Sequence, residues 1–541
     1  MKATISTSTI PPTRSPSFLM NRALFRFSYR GPRKVSLALI FLLSTASLMP
    51  VLGSEVTMTV DAGRIQREIQ PGAVGWGAMW KKDLLWPPPP ARINTDAEHS
   101  AYIERLANAL KPLIVSADVR NISWPWGVSF STWGVNWENS VVPWSQRPVD
   151  CARIVLLNKG SGWCEKTVVG VGDLLTLARH WRLEAVTVAV PLAVLDGAKV
   201  RYGPDFFSNA ISDPVIEKIS DHAVRLIEFM KSHPAWAGLS RVYLAAGCEW
   251  RHYSLKSPSQ AVLTYARLIR RMREKISDSK VIIVASASDS ADLEPAKANS
   301  WNRYLYQQLK NTQGVALDLH RYRGMIGLRA ASDGSTAAVV ENVDRLVRTG
   351  LSQRNWLTVH PNQWRERGKA MPSVLLENAI HGLIGDHKTH SPDPAPWPVV
   401  MAHADLVREA LASDALTFLA WTWFPEDLPR EWPHGALRSD GTLAPHAKAQ
   451  AFLSQFHVGA LLYSAMSDES AVRANATRSR DGRIRIYGGN FSRYQQTLRL
   501  HGIKPGPASL EILSNNRVHK GVWDGRSALT LPPMTLWRIA F

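Results

Sequence analysis

From Arg67 to Phe456, short apolar runs of strand length alternate with longer stretches in which apolar residues recur at helical spacing. Arg67–Trp76, Pro112–Val119, Ala185–Leu192, Leu239–Trp250, Val281–Ala285, Val315–His320, Ser373–Asn378 and Ala415–Trp423 read as eight strands. Ala97–Leu110, Val171–Arg182, Pro214–Ser232, Ser257–Asp278, Ser300–Leu309, Ala337–Gln353, Val399–Leu411 and Pro445–Phe456 read as eight helices. Eight of each, in regular succession, predict an α/β chain folded as a (β/α)8 TIM barrel. An open doubly wound sheet would want a Gly-rich first turn and a polar residue ending its second strand, and neither is present.

The pattern changes on both sides of this block. After Phe456 come short alternating strands with Gly and Asn turns, among them Arg483–Tyr487, Gln496–Leu500, Ala508–Leu513 and Thr535–Ala540, which predict a small C-terminal β-sandwich over 458–541. The strand Glu55–Val60, within 54–66, lies outside the barrel count and is assigned to that sandwich, leaving 67–457 as the barrel. Residues 1–53 carry seven Lys and Arg, no acidic residue, and an apolar run Val35–Val51 before Gly53, the order of a secretory signal peptide. Ser44, Ser47 and Pro50 interrupt that run, which favours a cleaved leader over an anchor. The expectation is an exported protein, periplasmic or extracellular, with no membrane span after cleavage.

Composition excludes several classes. A chain of 541 residues with 45% hydrophobic content buries a large core and is not disordered. Without its leader it keeps +12 of the formal +19 charge, spread over the predicted helices, which reads as a solvated face with no nucleic-acid partner. That balance leans toward an acidic glycan among carbohydrate partners. The sixteen histidines are dispersed, no His-Glu-x-x-His occurs and no Gly-rich phosphate loop is found, so no metal or cofactor is expected. Export permits disulfides, and Cys151 and Cys164 are close enough in sequence to staple one loop, leaving Cys248 over.

The candidate chemistry lies at two strand ends. Leu239–Trp250 delivers Glu249, flanked by Cys248 and Trp250, and Ser373–Asn378 delivers Glu377, at the ends of strands four and seven. Barrel enzymes draw their active groups from the carboxyl ends of strands. Two carboxyl groups about 5 Å apart suit double displacement with retention, whereas roughly 6.5–9.5 Å leaves room for a water and inversion. Further candidates are Arg120 after strand two, His320 and Tyr322 after strand six, and the strand-end tryptophans Trp76, Trp250 and Trp421, whose faces suit sugar rings. Asp318, in the same run as His320, is not nominated.

This layout resembles the clan of retaining (β/α)8 glycoside hydrolases, especially members with a C-terminal β-sandwich such as arabinofuranosidases, β-xylosidases and the heparanase or β-glucuronidase type. The resemblance implies Glu249 as acid/base and Glu377 as nucleophile. It also implies Arg120 near the nucleophile, His320 and Tyr322 steadying it, and Trp421 as an aromatic platform. The clan usually has Asn before the acid/base, where it bonds the sugar 2-hydroxyl; here the residue is Cys248, a poor donor. That departure keeps open a second reading, a non-catalytic carbohydrate-binding or polysaccharide-assembly protein on the same barrel.

Overall fold

The computed structural model describes residues 55–77, 90, 92–124, 141–147, 150–152, 163–165, 168–190, 212–247, 258–287, 304–318, 321–324, 372–381, 397–413, 415–421, 436–438 and 440–541. The leader segment lies outside them, as does the helix expected over Ala337–Gln353. In chain order, β1 (Glu55–Glu68) precedes β2 (Val74–Gly77), α1 (Asp96–Ser116), β3 (Asn121–Trp124), a short ribbon β4 (Asp150–Ala152) and β5 (Trp163–Glu165), and α2 (Val171–Trp181). Then follow β6 (Ala185–Val190), α3 (Asp213–Ser232), β7 (Arg241–Ala246), α4 (Pro258–Lys275), β8 (Val281–Ser286), β9 (Val315–Asp318), β10 (Arg321–Gly324), β11 (Ser373–His381), α5 (Trp397–Ala412), β12 (Phe418–Trp421) and α6 (Pro445–Ser454).

These strands form a closed parallel barrel. The hydrogen-bonded order is β12-β2-β3-β6-β7-β8-β9, and β9 and β10 both pair with β11, which returns to β12. β9 and β10 share the sixth of eight strand positions. β6, β7, β8 and β9 are buried on both faces, which is why apolar runs rather than alternation mark them in the sequence. Val186, Val188, Val242, Leu244 and Ile283 pack outward against the helices, while Ala185, Tyr243, Ala245, Val284 and Ala316 fill the interior. Gly75 is required here, because a Cβ would stand 2.0 Å from the Asn121 carbonyl oxygen. The floor is polar and connected: Thr187 donates to Asn121 Oδ1, Asn121 Nδ2 donates to Thr417, and Thr417 donates to the Gly72 carbonyl, at 3.3, 3.2 and 2.6 Å.

Two strand positions differ from the sequence reading. Strand two is Asn121–Trp124, not Pro112–Val119, because α1 runs through Pro112 to Ser116. Leu106, Leu110, Leu113 and Ala117 recur at helical spacing and are all buried, and this packing outweighs the amide that Pro112 removes. Likewise β1 extends to Glu68, so Arg67 and Glu68 pair with β13 rather than opening the barrel.

The C-terminal strands are β13 (Ala460–Met466), β14 (Val472–Arg478), β15 (Ile484–Asn490), β16 (Gln496–His501), β17 (Ala508–Ser514), β18 (Arg517–Trp523), β19 (Leu529–Leu531) and β20 (Thr535–Ala540). With β1 they make one sheet ordered β18-β17-β20-β15-β14-β13-β1-β16-β19. Trp523 near one end of this order and Leu529 and Leu531 at the other share a core with Val56, Met58 and Trp537, so the sheet folds over itself as a sandwich. β1 is antiparallel to β13 and parallel to β16, which brings the strand that precedes the barrel into the C-terminal sheet.

Barrel and sheet meet along α5 and α6. Trp397 Nε1 donates to the Met534 carbonyl at 2.6 Å, and Arg538 donates to the Phe452 carbonyl at 3.0 Å. Between them His457 Nδ1 lies 2.8 Å from the Tyr487 hydroxyl, which accepts from Asn475 Nδ2 at 3.2 Å. Burial, followed by the positive charges of Arg67 and Arg120, holds the His457 pKa well below the usual histidine value.

Candidate active site

The carboxyl face of the barrel is where the βα connections leave. β7 ends at Ala246, and Gly247 follows at φ +78°, a left-handed turn that glycine makes without a Cβ penalty. The chain then reaches Cys248, Glu249 and Trp250, which lie outside the described residues, as does His320.

Glu377 falls within β11, at an irregularity of register. Leu375 pairs with Phe418 and Asn378 with Ala420, so three steps on β11 match two on β12. A bulge at Leu376–Glu377 takes up the extra residue and shifts the alternation of the strand by one position. Tyr322 on β10 pairs with Ala379, two residues beyond Glu377, and Trp421 closes β12 one residue beyond Ala420. The backbone thus brings Glu377, Tyr322 and Trp421 onto three neighbouring strands. β7, which leads to Glu249, is separated from β11 by β8 and β9.

Two proposed contacts are not at this face. Arg120 precedes β3, at the amino end of the strand, because strand two begins later than the sequence suggested. Its guanidinium pairs with Asp118 and donates to the carbonyls of His457 and Ser454 at 3.2 and 3.3 Å, bracing the floor against α6. Trp76 shares the outward face of β2 with Val74 and is fully buried, with its ring 6.2 Å from that of His446 on α6. Alternation about the inward Gly75 sends the indole into the helix layer, so it is not a sugar platform.

Asp318 is a carboxylate that the sequence reading passed over. It ends β9, follows the inward Ala316 by two residues, and pairs with Ser286 on one side and Val374 on the other. Both Asp318 and Ser286 are buried. The signal available in the sequence was its distance of two residues from an interior alanine.

The described stretch 141–147 of the connection from β3 to α2 is anchored to two helix starts. Trp144 Nε1 donates to the Ile93 carbonyl at 2.8 Å, and the Ser145 amide donates to Asp96 at 2.7 Å, which holds that carboxyl below its usual range. Arg147 meets Asp173 of α2 at 2.9 Å. In the ribbon between them Cys151 lies directly opposite Cys164 in the antiparallel register. Among the described residues, no group of His, Cys, Asp or Glu is placed to hold a metal ion, and no helix is long and apolar enough to cross a membrane.

No family model and no curated protein matches the sequence. Solved structures match the fold across 90% of this chain and 99% of theirs. They include an α-L-arabinofuranosidase from Thermotoga maritima in complex with arabinose (15% identity, TM-score 0.61). A family 51 arabinofuranosidase from Xanthomonas axonopodis pv. citri aligns at 14% identity with TM-score 0.61. A family 44 xyloglucanase from Paenibacillus polymyxa aligns at 12% with TM-score 0.54. The chain has the (β/α)8 fold of these glycoside hydrolases, with a C-terminal β domain.

Proposed function

We propose, from a barrel shared with glycoside hydrolases, that this chain is an exported glycoside hydrolase that cleaves O-glycosidic bonds of a polysaccharide or oligosaccharide with retention. One observation supports the reading: Glu377 lies on the seventh strand of a closed barrel, between the strands that bear Tyr322 and Trp421, and Glu249 follows the fourth strand in sequence.

In the first step the Glu377 carboxylate attacks the anomeric carbon while Glu249 gives its proton to the departing glycosidic oxygen. In the second, Glu249 as carboxylate takes a proton from water, whose oxygen displaces Glu377 from the sugar. Two inversions leave the configuration unchanged. Tyr322 and His320 orient the nucleophile, and Trp421 and Trp250 offer faces to sugar rings. Arabinosides and xyloglucan, named in the neighbours' titles, are the first substrates to try. Acidic glycans come next because of the residual basic charge. Cys151 and Cys164 form a disulfide that staples the overhanging connection.

A second reading, a carbohydrate-binding or assembly protein, is favoured by one residue, Cys248 in place of the clan's asparagine. The two separate by turnover on a broad glycan panel with Glu249→Gln and Glu377→Ala as controls: binding without hydrolysis supports the second.

A further inference from the structure

The parallel ladder between β7 and β8 ends at Ala246, paired with Ala285. In this register Val242 donates to the Lys280 carbonyl, and the carbonyl of each alternate β7 residue faces the amide one beyond its partner on β8. The last rung is therefore the Ala246 carbonyl and the Ser286 amide. A side-chain hydroxyl stands on that rung. Tyr265 Oη accepts from the Ser286 amide at 2.8 Å and donates to the Ala246 carbonyl at 2.6 Å.

Tyr265 lies on α4, the helix that follows the Glu249 segment, and it is fully buried. Its hydroxyl thus fastens both sides of that segment to one point: the strand it leaves, three residues before Glu249, and the helix it enters. Immediately after the rung, Gly247, two residues before Glu249 in sequence, makes a left-handed turn. Hydrogen bonds of this kind in a dry interior hold their geometry closely. A strand end free to slide would carry the carboxyl with it, and proton transfer is sensitive to such displacement.

We infer that Tyr265 is the positioning residue of the acid/base, fixing where Glu249 projects; the inference rests on the proposed assignment of Glu249. The test is Tyr265→Phe, which removes one oxygen and keeps the ring. Amide hydrogen exchange of 247–257 and of Ser286 quickens in the variant while exchange elsewhere in β6 and β8 is unchanged. In kcat/KM, glycosides with poor leaving groups lose about tenfold, part of the roughly 10²–10⁴ that general acid catalysis supplies. Activated aryl glycosides, which need no proton, lose little. Fluorotyrosine at position 265, which keeps the hydroxyl, restores both readouts and serves if the phenylalanine variant folds poorly. Unchanged exchange at Ser286 and 247–257, or a loss equal across leaving groups, overturns the inference. The control Glu249→Gln separates the two ideas: if it lacks leaving-group dependence, the acid/base assignment fails, and the exchange data still decide whether Tyr265 fixes the chain.

Discussion

The carboxylate of Asp405 on α5 accepts a hydrogen bond from Arg473 on β14 at 2.6 Å, with side chains 0% and 2% exposed. Arg408 meets the same carboxylate at 3.2 Å and reaches Asn475 of β14 at 3.2 Å. One acidic group therefore serves two buried guanidiniums across the barrel–sheet junction. Asp405→Asn removes that charge and leaves both cations in a dry site, so unfolding free energy falls by about 3 kcal/mol or more. Urea denaturation checks this; a loss under about 1 kcal/mol, the range of an exposed ion pair, contradicts it.

His457 at the same junction makes stability depend on pH. Its folded pKa lies well below the unfolded value near 6.5, so the unfolded chain binds a proton first as pH falls. Its contribution is fully present above about pH 6.5 and is lost as pH drops below that value. The thermal midpoint is expected to fall between neutral pH and about pH 5, and His457→Gln is expected to flatten that slope. A slope unchanged by the substitution contradicts the assignment.

Cys151 and Cys164 face each other on β4 and β5. In an oxidising compartment their thiols give up two electrons and two protons to a protein disulfide acceptor. Of the three cysteines, only Cys248 then titrates as a free thiol under denaturing conditions, and a non-reduced peptide map links 151 to 164. Three free thiols in protein produced in an oxidising compartment contradict the bridge.

The barrel was legible because strands buried on both faces become uninterrupted apolar runs, and the helices between them keep their own period. Pro112 misled for a physical reason: it is a strong local breaker, yet Leu113 and Ile114 bury enough surface to carry α1 past it. Arg120 then moved from the mouth to the floor. Trp76 ends an apolar run as expected, but the small residue that decides its direction is Gly75, whose crowding appears only in three dimensions. The junction was illegible, since Asp405, Arg408 and Arg473 are isolated charges in apolar segments whose partners come from distant sequence. Tyr265 was hidden likewise, as one aromatic on a helix face.

The most direct measurement is steady-state and burst kinetics of wild type, Glu249→Gln and Glu377→Ala on aryl glycosides, with the product anomer followed by NMR. The account predicts retention in the wild type, near-complete loss in Glu377→Ala, and in Glu249→Gln a loss that grows as the leaving group becomes poorer. Undiminished turnover in either variant, or an inverted first product, would contradict it.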